Sequence, residues 1–210
     1  MDPAVDLLLL DVNGVLYAYD PEVRIATLAR ALDVGADAVR DALFTSGLED
    51  AADAGDITPA DYLAAAGQRL GVDVARDPWA EALAAAVTPD RDVLDLVGSV
   101  LGPVRGATLS NNGLLVRELV DRIYPEVADL GIEVHVAAEY GEAKPDRDVY
   151  RDACADLGVA PERAAFVDDK EDNAEGARRA GLRAHHFTTA IGLRAFLRDL
   201  GLEPQAGGEA

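Results

Sequence analysis

The chain has a single cysteine, Cys154, in 210 residues, so no internal disulfide can form. That thiol falls in a helical pattern and reads as a small buried hydrophobe, not a nucleophile. Basic residues are scarce. Nineteen Lys+Arg stand against 39 Asp+Glu, a formal net charge of −20. A surface that negative cannot neutralise a phosphate backbone or an anionic bilayer, which excludes nucleic acid and membrane as electrostatic partners. Long apolar runs are also missing: none approaches the ~18 residues of a membrane span. The run Leu7, Leu8, Leu9, Leu10 follows Asp2 and Asp6 and is too brief and wrongly flanked for a signal peptide, so a cytoplasmic location is expected. The three histidines, His135, His185 and His186, show no zinc spacing and read as structural. There is no internal repeat.

What is present is a globular composition, half apolar, at a length that suits one domain or one domain carrying an insertion. The apolar run ending at Asp11, with Gly14 three residues on, reads as a buried parallel strand and a turn. Similar runs recur at 104–109, 132–136, 164–167 and 182–187, separated by helical patterns. Strand and helix alternation predicts an α/β fold, a three-layer parallel sheet of Rossmann-like type with ligands beyond the carboxyl ends of the strands. Residues 19–87 break the alternation and show only helix signals. Asp20-Pro21-Glu22 and Thr58-Pro59-Ala60-Asp61 each supply a cap, a proline at the first helical position and an acid in the first turn. A bundle of roughly four helices is expected there, with Leu28, Leu32, Leu43, Leu63, Leu70 and Leu83 as core candidates. The expected division is a core of 1–18 and 88–202, a helical insertion of 19–87, and a flexible tail of 203–210.

The residues just after the strands carry the chemistry. They are Asp11-Val12-Asn13-Gly14, then Leu109-Ser110-Asn111-Asn112-Gly113, Lys144-Pro145, and Val167-Asp168-Asp169-Lys170. A carboxylate, a hydroxyl, an ammonium and an acid pair on one rim suit phosphoryl transfer. Asp11 can attack as a carboxylate nucleophile. Asp11 and Asp169 can hold Mg²⁺, an oxygen-preferring ion, and three crowded carboxylates call for such a cation. Ser110 and the amides after it, with Lys144, can bind the phosphoryl oxygens. Taken singly, each element has a bland reading as an N-cap, a turn or a solvated helix start. Their order after successive strands favours a site.

In these four segments the sequence resembles the haloacid dehalogenase (HAD) superfamily, most closely over 143–181. There Lys144-Pro145-Asp146 leads to Tyr150, and Phe166-Val167-Asp168-Asp169 leads to Asn173-Ala174-Glu175-Gly176-Ala177. That stretch is similar to the phosphatase branch of the superfamily. The resemblance implies a mobile helical C1 cap inserted after the first motif, Mg²⁺ as cofactor, an aspartyl-phosphate intermediate and a small phosphorylated metabolite as substrate, with the protein a monomer or homodimer. It implies Asp11, Asn13 and Lys144 as catalytic and Ser110, Asn111 and Lys144 as phosphate-binding. Asp11, the Asn13 carbonyl and Asp169 would ligate the metal, with Asp168 behind them or acting through water.

The sequence departs from the family at Asn13, where most of its phosphatases carry a second Asp that protonates the leaving oxygen. Asn can neither donate that proton nor take it back, a loss of ~10²–10⁴-fold in acid–base catalysis felt most on alkoxide leaving groups. Three readings stand. The enzyme is a phosphatase whose substrate or solvent supplies the proton, it is specialised for acyl phosphates, or it is a weakened relative. A 2-haloacid dehalogenase also uses an Asp nucleophile and lacks the following Asp, but Asp168-Asp169 weighs against metal-free chemistry on an anionic substrate. A phospho-ligand or partner-binding module without turnover is the third class. Trp79 is expected to pack the insertion, and Tyr17 and Tyr19 to line the entrance.

Overall fold

The computed structural model describes residues 4–203. In chain order the elements are β1 (Leu7–Leu10), β2 (Tyr17–Tyr19), α1 (Pro21–Leu32), α2 (Ala36–Arg40), α3 (Leu48–Asp53), α4 (Pro59–Leu70), α5 (Arg76–Ala86), β3 (Val87–Pro89), α6 (Arg91–Gly98), β4 (Arg105–Thr108), α7 (Leu114–Glu118), α8 (Val120–Ile123), α9 (Pro125–Asp129), α10 (Arg147–Asp156), β5 (Ala164–Asp168), α11 (Glu171–Ala180), β6 (Arg183–His186) and α12 (Ala190–Asp199). A π-helical turn, Asp41–Thr45, continues α2.

Four strands form a parallel sheet in the order β4-β1-β5-β6. Strand β1 is four leucines, all buried, because both faces of the sheet are covered. Side chains alternate across the pleat. Leu8, Leu10, Ala165 and Val167 face a core that includes α6 and α12, whereas Leu7, Leu9 and Phe166 face one built with α10 and α11. The sheet therefore holds the residues after β1, β4 and β5 at one edge.

The expected strand at 132–136 does not form a continuous ladder. It meets β4 and the residues just after it only through isolated bridges at Ala107–Glu133 and Ser110–Val136. Between them the Thr108 hydroxyl accepts from the His135 amide in place of a backbone acceptor and donates to the His135 carbonyl, at 3.1 Å each. A second difference lies at the start and end of the helical segment. Tyr17, Ala18 and Tyr19 pair antiparallel with Pro89, Thr88 and Val87, so the chain leaves and returns along a two-stranded ribbon. Three-residue strands carry too little alternation to read, and Pro89 ends the ribbon where no further amide is needed.

Five α-helices and the π turn occupy this segment, against the four expected. Asp20 caps α1 by accepting from the Glu22 and Val23 amides, and the Thr58 hydroxyl caps α4 by accepting from the Asp61 amide. Leu28, Leu43, Leu63 and Leu83 are buried as expected, and Leu32 and Leu70 are half-buried. Trp79 is buried, with its indole N–H donating to the Tyr62 hydroxyl at 3.1 Å. The centre of this helical unit is nonetheless charged. Arg24 is 5% exposed, donates to Glu49 at 2.6 Å, and lies 5.4 and 5.2 Å from the centres of the Phe44 and Trp79 rings. Burial works against its charge, and the Glu49 carboxylate more than offsets this, raising its pKa. Of the expected tail, 204–210 lies outside the described residues. No helix among the described residues is long and apolar enough to cross a membrane.

Removing one partner of a buried pair strands the other charge, so Glu49→Ala is expected to cost about 3 kcal/mol of stability in urea titration. The double variant Arg24→Met, Glu49→Leu should recover most of it. A single-variant cost near zero would show that the pair is solvated.

Candidate active site

The backbone of Asp11 continues the sheet, its amide donating to the Val167 carbonyl at 2.9 Å, so the first residue after β1 sits directly beside the end of β5. The chain then turns sharply: the Val12 carbonyl accepts from the Leu16 and Tyr17 amides, and Gly14 adopts φ +93. A Cβ on Gly14 would collide with the Asp169 carboxylate, so glycine here is demanded twice over.

Lys144 joins the pieces. It is 5% exposed, and its ammonium donates to Asp11 Oδ1 at 2.8 Å and to Asp168 Oδ2 at 2.7 Å. Its backbone is gripped at both ends by Asn111, whose Nδ2 donates to the Lys144 carbonyl and whose Oδ1 accepts from the Lys144 amide, both at 2.9 Å. The Lys144–Pro145 peptide is cis. Helix α11 seats this loop at Gly176, where a Cβ would collide with the Pro145 carbonyl oxygen.

Asp168 is fully buried, and both of its oxygens are committed. Oδ2 takes the lysine, and Oδ1 accepts from the Lys170 amide at 2.8 Å and the Asn173 Nδ2 at 2.9 Å. Tyr150 steadies the network by donating to the Asn173 carbonyl at 2.8 Å. Asp169 is the opposite case: its Oδ1 is buried with no hydrogen-bond partner. Carboxylate oxygens of Asp11, Asp168 and Asp169 all lie within 4.8 Å of one another. Three carboxylates against one ammonium leave an uncompensated negative charge. Burial first, then the Asp168 charge, raises the Asp11 pKa to about 6 despite the pull of Lys144. Burial opposes the Lys144 charge, yet the two carboxylates more than offset it and hold the ammonium protonated. The chemistry of this donor set, together with the orphaned Asp169 oxygen, fits a divalent, oxygen-ligated cation.

A cleft of about 280 Å³ opens above the cluster. Asp11, Asn13, Asn111 and Lys144 reach its wall, joined by Asn112, Lys170 and Asn173. Tyr19, Arg24, Phe44, Glu49 and Asp53 close it from the helical side. Ser110 is buried and is not on the wall; its hydroxyl accepts from Asn112 Nδ2 at 2.9 Å. Asn111 reaches the cleft with its amide already committed to Lys144. Asn13 Oδ1 accepts from the buried Tyr124 hydroxyl at 3.1 Å.

Of the two tyrosines expected at the entrance, only Tyr19 is on the cleft. Tyr17 is buried and donates to Glu126 at 2.7 Å. The histidines stand apart from the cleft wall. His135 pairs with the Tyr140 hydroxyl, His185 stacks on Phe196, and His186 meets the Asp169 carbonyl and Glu171. Burial pushes the Cys154 thiol up to about 11, which suits a packing role.

Asn112, Lys170 and Asn173 stand in the segments read from the sequence but had no role assigned there, and Arg24, Asp53 and Tyr124 were not anticipated. For the first three a signal was available in composition. The sequence contains two lysines, Lys144 and Lys170, and four asparagines, Asn13, Asn111, Asn112 and Asn173. All six line this cleft.

Residues 128–186 match the family model of the haloacid dehalogenase-like hydrolases. The matched segment runs from α9 to β6 and includes Lys144, Asp168 and Asp169. A HAD family enzyme from Bacteroides thetaiotaomicron, solved with magnesium and inorganic phosphate, superposes with a TM-score of 0.73 at 23% identity over 88% of this chain and 94% of that one. A predicted HAD-like family hydrolase from Porphyromonas gingivalis gives 0.74 at 22% identity over 93% and 98%. The L-2-haloacid dehalogenase of Xanthobacter autotrophicus, with chloropropionic acid covalently bound, gives 0.59 at 19% identity over 95% and 85%. A search of curated proteins finds no match. At these identities the structures establish the HAD-like fold, and the chemistry must be argued from the cluster itself.

The folded Asp11 carboxyl holds its proton to about pH 6, whereas the ordinary value is 3.8, so this group makes the folded state lose stability as pH rises between those values. Without divalent cation, Asp11→Asn should therefore gain stability relative to the wild type between pH 4 and 7 in denaturant titrations. A difference constant with pH would show that Asp11 is already ionised at the low end.

Proposed function

We propose that this chain is a Mg²⁺-dependent HAD-like phosphatase acting on a small phosphomonoester, a sugar phosphate or similar metabolite, through an aspartyl-phosphate on Asp11. The observation that carries the reading is the orphaned Asp169 oxygen in a three-carboxylate cluster that also presents a lysine-bound nucleophile. Asp11, the Asn13 backbone carbonyl and Asp169 would hold Mg²⁺, with Asp168 behind them fixing Lys144. When bound, the ion would neutralise the carboxylates and polarise the phosphoryl oxygens.

The protein's own groups do the rest. Lys144 fixes the Asp11 carboxylate through Oδ1, leaving the other oxygen to attack phosphorus. Its remaining positive charge, with the Asn112 amide and the Ser110 hydroxyl behind it, favours the oxygens of the transferring group. Water then hydrolyses the acyl phosphate and frees Asp11. The helices of 19–87 act as the cap, shielding the acyl phosphate from bulk water and shaping the space for the rest of the substrate. We take the protein to be cytoplasmic and a monomer or homodimer.

The dehalogenase reading is kept alive by the similarity to the Xanthobacter enzyme and by Asn13. One panel separates the two: phosphorylated metabolites and 2-chloropropionate, each with and without Mg²⁺. Phosphate release that disappears on chelation is the expected result, and metal-independent chloride release would overturn the reading. A thermal melt gives a readout independent of turnover. Mg²⁺ should raise the wild-type midpoint, because it binds the folded state, and Asp169→Asn should abolish the rise. A full Mg²⁺ shift in that variant would remove Asp169 from the ligand set.

A further inference from the structure

Asn13 leaves the site without an obvious proton donor, but a carboxyl faces it from the opposite wall. Asp53 is the last residue of α3 and lines the same cleft as Asp11, Asn13 and Lys144. This helix end is set against the core on two sides. A Cβ on Gly113, which follows the Ser110 loop, would lie 3.1 Å from both the Cβ and the carbonyl oxygen of Ala52, and a Cβ on Gly55 would strike the Ala138 carbonyl. Asp53 is half-buried, and among the described residues no side chain hydrogen-bonds to it or pairs with it; the Gly113 backbone amide is the group that reaches its carboxyl. We propose that Asp53 is the general acid of the reaction, supplying from the helical cap the proton that Asn13 cannot give; this rests on the phosphatase reading above.

The electrostatics of the wall support the assignment. Glu49 and Asp50 flank Asp53 on its own helix, Arg24 faces it from α1, and Asp11, Lys144 and Lys170 stand on the core side of the cleft. Burial first, then the Glu49 charge, pushes the Asp53 carboxyl up to about 8 against the opposing pull of Arg24. At neutral pH it carries its proton, and an acid with a pKa near the working pH is the effective kind.

The step balances without another reactant. As an Asp11 oxygen bonds to phosphorus, the bond to the leaving oxygen breaks, and the Asp53 proton passes to that oxygen, releasing the alcohol and leaving Asp53 as carboxylate. Water then attacks the phosphorus of the aspartyl-phosphate and gives a proton to Asp53. The bond to Asp11 breaks, orthophosphate departs, and both carboxyl groups return to their starting states.

The test compares kcat/KM, which reports the first chemical step, for β-glycerol phosphate and acetyl phosphate with Mg²⁺ in wild type and Asp53→Asn. The alkoxide leaving group needs the proton and the acyl one does not. The ratio of the two values should therefore move against β-glycerol phosphate by about 10²-fold or more in the variant. The wild-type profile for β-glycerol phosphate should fall above about pH 8, and that limb should vanish in Asp53→Asn. An unchanged ratio, with equal losses or none, overturns the acid role while leaving the phosphatase reading intact, as does a wild type that cleaves only acetyl phosphate. A wild type that cleaves neither overturns the phosphatase reading and the acid role with it.

Discussion

The ammonium of Lys144 between Asp11 and Asp168 is the interaction on which the site depends. Without it, two carboxylates would be buried a few ångströms apart, an arrangement whose mutual repulsion and desolvation no packing could offset. With it, the ends of β1 and β5 are tied to a loop from a distant part of the chain. Much of the surrounding structure keeps that lysine in place: Asn111 holds its backbone, Gly176 lets α11 approach Pro145, and Asn173 and the Lys170 amide satisfy the far side of Asp168. A compact ammonium suits a gap bounded by oxygens at 2.7 and 2.8 Å, where a planar guanidinium would need more room. This gives a physical reason why a chain whose cations are almost all arginine has lysine at this position.

One ammonium does not neutralise three carboxylates, and the imbalance connects structure to chemistry. Asp168 is saturated, whereas Asp169 has a buried oxygen without a partner and Asp11 has a raised pKa. Those are the marks of a site that is complete only with a cation. The global charge sharpens the point. At −20 the protein would repel an anionic substrate at long range, so capture of one would depend on local positive charge. Lys144 and Lys170 supply it on the core side, and a divalent cation at the carboxylates would add to it. Arg24 is the one cation of the helical wall, and it is already paired with Glu49.

The sheet and the rim were legible because their signals are strong and local. Four leucines in a row followed by Asp, and Ala164 to Val167 followed by two Asp, read as buried strands that end in acids. The pieces that escaped notice depend on contacts made at a distance. Thr108 interrupts a ladder because its hydroxyl reaches His135, which no periodicity records. The Tyr17–Tyr19 and Val87–Pro89 ribbon pairs segments some seventy residues apart. Arg24 reads as an ordinary helix-surface residue until Glu49, Phe44 and Trp79 are seen to enclose it. Asp53 is one acid among 39, distinguished only by where α3 ends. The asparagines and lysines were the overlooked clue, since every member of both types lies on one cleft.

In the proposed reaction Asp11 becomes covalently phosphorylated in a cation-dependent step. Rapid acid quench of the protein during turnover of a phosphate ester, followed by peptide mass spectrometry, tests it directly. The expected result is a single phosphoryl adduct on the peptide containing Asp11, present with Mg²⁺ and absent after chelation. An adduct on another residue, or one that forms equally well without metal, would contradict it.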